Sequence, residues 1–207
     1  MQLLGRDLSP FVRRSAVSLL TLGFEFERRL LATGADFEAI KAVNPLGRVP
    51  ALVLDDGEIL VDSAAILDWA DEQVGPERAL VPPAGAERRQ VLRSVALALG
   101  ATEKAVQSHY ERNLKAEGRT DPAWVERLEG QSAGGFAALE QALGDKEWFH
   151  GRMTQADLTA AVAYDFAGVM APGVVADGRY PRLAALTERL NALPAFQATS
   201  LDSFRKP

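Results

Sequence analysis

The chain has 207 residues, of which 47% are hydrophobic and 25% charged, with a formal net charge of −5 and no cysteine. This is ordinary globular composition, and the length suits one large or two small domains with a sizeable core. It excludes disulfides and any thiol chemistry of the protein's own, and it offers no general attraction to nucleic acid or anionic membrane. No apolar run approaches the roughly 20 residues of a membrane span. The first residues lack the basic-then-apolar pattern of an export signal, so a cytoplasmic location is expected. Any redox function must borrow its sulfur from a ligand.

Taken in order, Gln2 to Gly5 reads as a short apolar strand. Ser9-Pro10 opens a helix, Ser as N-cap and Pro at the first helical position. Phe11, Ala16, Leu19, Leu20 and Leu22 give that helix an apolar face, and Gly23 ends it. Phe26 to Leu31 reads as a second strand and Asp36 to Val43 as a short helix. Val49-Pro50 precedes a strand over Ala51 to Leu54, Asp56-Gly57 supplies a hairpin turn, and Ile59 to Val61 returns. Asp62-Ser63 then caps the apolar run Ala64, Ala65, Ile66 and Leu67 as a helix closing near Val74. The β-α-β start implies parallel strands with a right-handed crossover.

Gly75 to Ala86 carries three prolines and two glycines without periodicity and reads as a linker. Everything beyond it is helical. Glu87 to about Glu117 makes one long helix or two in series, and Asp121-Pro122 opens another to about Leu143 with Gly134-Gly135 as a soft spot. Thr154 and Asp157 have the spacing of a capping box, and Tyr180-Pro181 to Leu193 has a leucine stripe that Pro194 interrupts. The expected domains are therefore 1–76, a linker at 77–86, and an all-helical 87–207.

The stretch Asn44 to Leu67 carries the chemistry. An X-Pro bond has only a small trans preference, and a cis Val49-Pro50 would turn the Val49 N–H and C=O away from the sheet. An extended peptide could then pair with Val49 as an added strand. The helix start at Ser63 offers N–H groups and a positive dipole end to a carboxylate, and Asp62 beside it could hold an ammonium. The plain alternative is a hairpin followed by a capped helix.

NPLGRVPAL followed by VDSAAIL resembles the glutathione-site signature of the cytosolic glutathione transferases. With Ser9-Pro10-Phe11 and Thr154…Asp157 in register, the resemblance covers nearly the whole chain. The family usually has Glu or Gln before the serine, where this chain has the shorter Asp62. The resemblance implies an α/β thioredoxin-like βαβαββα domain followed by an all-α domain. It implies glutathione as co-substrate, held by Ser9, Phe11, Arg48, Val49, Pro50, Asp62 and Ser63, with no metal. It further implies a two-fold homodimer and a buried structural capping box at Thr154 and Asp157.

A free thiol is a poor nucleophile near neutrality, because the thiolate is the reactive form. A hydroxyl donor at a helix N-terminus favours that form, and Ser9 offers both, although it also serves as a plain cap. The family uses Tyr, Ser or Cys here. The tyrosines are Tyr110, Tyr164 and Tyr180, all in the second half, and cysteine is absent, so a serine-type member is expected. The chain lacks the extended serine-rich motif of the maleylacetoacetate isomerase group, which argues against that activity.

Arg48 is equally a ligand for the glycyl carboxylate or a solvated loop charge. Arg13 and Arg14 read as surface charges. His109, Tyr110 and Arg112 fall on the long helix that walls the family's electrophile pocket and read either as pocket residues or as a half-buried polar face, and His150 reads as a packed loop residue. The expected activity is transfer of glutathione to small hydrophobic electrophiles, with glutathione-dependent peroxidase or disulfide reductase chemistry alongside. A dedicated isomerase or dehalogenase is the second enzyme reading. The alternative class is a non-catalytic glutathione- or ligand-binding or protein-interaction member of the same fold.

Overall fold

A computed structural model describes residues 1–116 and 118–204. Two compact units emerge, one of Met1–Pro83 with Leu193–Ser200, the other of Ala84–Ala192 with the chain end from Leu201.

Unit 1 is built on a four-stranded sheet of order β2-β1-β3-β4, comprising β1 (Gln2–Leu4), β2 (Glu27–Arg29), β3 (Ala51–Val53) and β4 (Ile59–Val61). β1 runs parallel to β2 and antiparallel to β3, which pairs antiparallel with β4. β2 is shorter than the expected Phe26 to Leu31: Leu31 N–H turns back to Arg29 C=O and Leu30 is exposed. Helices α1 (Pro10–Leu22), α2 (Phe37–Lys41) and α3 (Ser63–Val74) complete the βαβαββα order. Leu3, Leu4, Val17, Leu19, Leu52 and Ile66 are buried at its core.

The largest departure from the sequence reading lies on α1. Arg13 and Arg14 are buried, at 1% and 3% exposure. Nearly every α1 side chain from Pro10 to Leu19 is covered, with Ser15, Ala16 and Ser18 small enough for close packing, so no face of that stretch is left to solvent. α1 packs against α3, and also against α9 (Pro194–Gln197), which returns from the far end of the chain. Arg13 Nε donates to Thr199 C=O at 2.9 Å, and its guanidinium lies over the Phe196 ring at 5.3 Å.

Unit 2 is helical: α4 (Gly85–Asn113), α5 (Pro122–Leu143), α6 (Gln155–Met170), α7 (Pro172–Val175) and α8 (Pro181–Asn191). α4 is a single helix ending at Asn113, and the expected terminus, Glu117, lies outside the described residues. Gly134-Gly135 is no soft spot. α5 is continuous there, and a Cβ on Gly135 would stand 2.9 Å from that of Ala101, so glycine permits the close approach of α5 to α4. α6 is buried on nearly all sides at the centre of the unit. Asp157 accepts from Thr154 N–H and Thr154 Oγ1, both at 2.8 Å, and from Phe149 N–H at 2.9 Å, while Thr154 Oγ1 accepts from Ala156 N–H at 3.3 Å. Among the described residues no helix is long and apolar enough to cross a membrane.

Candidate functional site

The register Leu4↔Ala51↔Val61 marks one end of the strands. The chain leaves β1 there toward Ser9, enters β3 there through Val49-Pro50, and leaves β4 there into Asp62-Ser63. Gly5 locks two of these together. It has φ +118°, and a Cβ would stand 2.5 Å from Val12 Cγ2 and 3.0 Å from Val49 Cβ, so a side chain has no room. The first turn of α1 and the Val49 loop therefore meet across a glycine.

Ser9 is the N-cap of α1, and its Oγ accepts from Val12 N–H at 3.4 Å. Its hydroxyl hydrogen has no acceptor among the described residues and remains available to a ligand atom. Phe11 lies half-buried in the same turn. Val49-Pro50 is a cis peptide bond, and neither the N–H nor the C=O of Val49 is hydrogen-bonded among the described residues. Asn44 Nδ2 donates to Arg48 C=O at 2.8 Å and pins that loop, with Arg48 itself exposed.

Asp62, not Ser63, is the N-cap of α3, in the left-handed region at φ 71°. Its Oδ1 accepts from Ala64 N–H at 3.1 Å and from Ser63 Oγ at 3.2 Å. Ser63 occupies the first helical position with its side chain 1% exposed. The Ser63 and Ala65 N–H groups donate to nothing among the described residues, so the helix start retains free donors for an anion.

Sequence reasoning missed Arg14. Its Nε and Nη1 are buried without a hydrogen-bond partner. Burial pulls its pKa down to about 10, and the Asp62 charge opposes the fall. The available signal was the neighbouring Ser15, Ala16 and Ser18, small residues that mark a helix packed on several sides.

In unit 2 His109, Tyr110 and Arg112 lie on one stretch of α4, with the His109 and Tyr110 rings 6.1 Å apart. His109 and Arg112, three positions apart, share a helix face, but their polar partners differ. His109 Nδ1 meets Asn113 Nδ2 at 3.1 Å, Tyr110 is half exposed, and Arg112 grips Glu129 at 2.9 and 3.1 Å. A cavity of about 490 Å³ takes in Arg112 together with Val125, Glu129, Ala133, Val174 and Arg179, but neither His109 nor Tyr110. His150 Nε2 lies 3.1 Å from Ser94 Oγ. Among the described residues no group of three or more His, Cys, Asp or Glu side chains could hold a metal ion.

Comparison with known proteins identifies the family. Residues 3–78 match the model for the glutathione S-transferase N-terminal domain and residues 122–189 that for its C-terminal domain. Maleylacetoacetate isomerase of Pseudomonas aeruginosa is 32% identical over 197 residues, 93% of this chain and 91% of the relative. Glutathione S-transferase Z1 of Arabidopsis thaliana is 32% identical over 193 residues, 89% of this chain and 83% of the relative. A glutathione S-transferase from Methylobacterium radiotolerans, solved in complex with glutathione sulfonate, superposes with a TM-score of 0.88 at 28% identity, covering 100% of this chain and 95% of that one. With a thioredoxin-like sheet, an all-helical second unit and relatives matching end to end, the chain belongs to the glutathione S-transferase family.

Proposed function

We propose that this protein binds glutathione on unit 1 and transfers its sulfur to small hydrophobic electrophiles. The observation that carries the reading is the convergence of three free polar groups beyond one end of the strands: the Ser9 hydroxyl, the Val49 backbone and the α3 N-terminus. The cysteinyl backbone of glutathione pairs with Val49, and the γ-glutamyl carboxylate sits on the Ser63 N–H with its ammonium toward Asp62. The glycyl carboxylate faces Arg48. Ser9 donates to the sulfur and favours the thiolate, which is the nucleophile. The related structure bound to glutathione sulfonate supports glutathione as the ligand. The same activated sulfur serves peroxidase and disulfide reductase chemistry, since the chain has no thiol of its own. We place the protein in the cytoplasm as a homodimer, with Arg112 the member of its trio bordering a ligand cavity.

A second reading, isomerisation of maleylacetoacetate with glutathione as helper, is favoured by the 32% identical Pseudomonas relative of that name. One set of assays separates them: glutathione binding by calorimetry, then turnover of a reactive aryl halide and of maleylacetoacetate. Aryl-halide conjugation is the expected result. Isomerisation without conjugation selects the second reading. Binding without either turnover selects a non-catalytic binding protein, and absence of binding refutes both.

A further inference from the structure

Ser9 depends for its place on a short loop, and its own cap is a weak hold. Its Oγ accepts from Val12 N–H at 3.4 Å, at the long end of hydrogen-bond range. The loop, residues 5–8, joins β1 to α1. Backbone bonds fix its path at both ends: Gly5 N–H donates to Arg29 C=O at 2.9 Å, and Ser9 N–H to Arg6 C=O at 3.0 Å. Between them a side-chain ion pair anchors it, Asp7 Oδ1 with Arg28 Nη2. Arg28 stands on β2 in register with Leu3 of β1, so Asp7 is tied to the sheet and not to another loop.

The pair is better suited to fixing a place than to adding stability. Its side chains are 22% (Arg28) and 18% (Asp7) exposed, so both charges are largely desolvated. Arg28 Nε is buried without a partner, and its guanidinium lies 6.0 Å from the centre of the Phe26 ring. A desolvated ion pair left partly unsatisfied is a poor source of folding energy, and its best use is to select one arrangement over others. The arrangement selected here is the Arg6–Ser9 turn, which ends on the hydroxyl. A hydrogen bond to a forming thiolate weakens steeply as its angle opens, so a small displacement of that turn loses it. We propose that Arg28, acting through Asp7, is a positioning residue that keeps the Ser9 hydroxyl aimed at the glutathione sulfur. This rests on the glutathione reading of unit 1. The action runs from Arg28 to Asp7, from Asp7 to the turn and from the turn to Ser9, with no ligand contact of its own.

Bound glutathione is titrated by its thiolate absorbance in wild type, Arg28→Met, Asp7→Asn, Ser9→Ala and the Ser9→Ala/Arg28→Met double variant, with Kd measured by calorimetry. Arg28→Met raises the thiol pKa and cuts turnover near neutrality roughly tenfold, while Kd changes less than about threefold. Asp7→Asn shifts the pKa in the same direction by less, because its amide oxygen still accepts from Arg28. On the Ser9→Ala background Arg28→Met adds no further shift, since the two residues act as one unit. A wild-type thiol pKa in Arg28→Met makes the ion pair merely structural and overturns the proposal. A shift that persists without Ser9, or a lowered pKa in Asp7→Asn, also overturns it, because either is the field of the charges and not the placing of a hydroxyl. Should Arg28→Met not fold, Asp7→Asn with and without Ser9 gives the same decision. Wild type that binds no glutathione instead overturns the reading of unit 1 and the proposal with it.

Discussion

Replacing Asp157 with alanine should cost unit 2 about 3 kcal/mol, and the figure can be worked from the contacts. The carboxylate is fully buried and accepts from two backbone N–H groups, Phe149 and Thr154, and from the Thr154 hydroxyl, all within 2.9 Å. Alanine leaves both buried N–H groups unpaired at about 1–3 kcal/mol each, while the hydroxyl can rotate to a new acceptor. Part of the loss is returned, since burial pushes the Asp157 carboxyl up from its ordinary range, a sign that its charge is held at a cost. Asp157→Asn keeps the shape but turns an amide donor toward a donor, and should lose about half as much. The assay is urea unfolding followed by tryptophan fluorescence, comparing midpoints at constant slope. An Asp157→Ala protein within about 1 kcal/mol of wild type would sink the reasoning, because two unpaired buried amides cannot be that cheap.

Ser9→Ala should raise the pKa of glutathione's bound thiol and lower turnover near neutrality by about two orders of magnitude, the low end of the effect of removing one aligned donor. A pH profile of thiolate absorbance identical to wild type removes Ser9 from the chemistry. Ser63→Ala should weaken glutathione binding about tenfold with kcat little changed, because the Oγ that orients Asp62 is lost; an unaltered Kd refutes it. Burial pushes the His150 imidazole below its ordinary range, against the opposing charge of Asp157. The unfolded chain therefore takes up its proton first, so this contribution is present above about pH 6.5 and is lost as the pH falls from there toward the folded value. The Tm of His150→Gln should accordingly drop less than that of wild type between about pH 7.5 and 5.5, and parallel curves would count against it.

What could be read from the chain alone was whatever is encoded locally. Ser9-Pro10, Asp56-Gly57, Asp121-Pro122 and Thr154…Asp157 each carry their turn or cap chemistry within four residues, and helices or turns stand at all of them. Ile59 to Val61 was read with its observed bounds, whereas the other three strands were overrun by a residue or two at an end because pairing, not propensity, ends them, as at Leu31. Asp62 and Ser63 were legible as a pair but not their division of labour, which the left-handed backbone at Asp62 decides. Arg13 and Arg14 were illegible as buried groups because what covers α1 comes from elsewhere: α3, and a segment ending near Ser200. His109, Tyr110 and Arg112 read as one cluster in sequence, but the polar partners Asn113 and Glu129 that occupy His109 and Arg112 were not legible there.

The Arg13 tether joins residue 13 to residue 199. The first helix is thus held in part by a carbonyl 186 residues further along the chain. A fragment cut after Pro83 keeps the four strands but takes Thr199 and the Phe196 ring away from Arg13, so loss of residues 193–200 should loosen the amino-terminal unit from outside its own stretch of sequence.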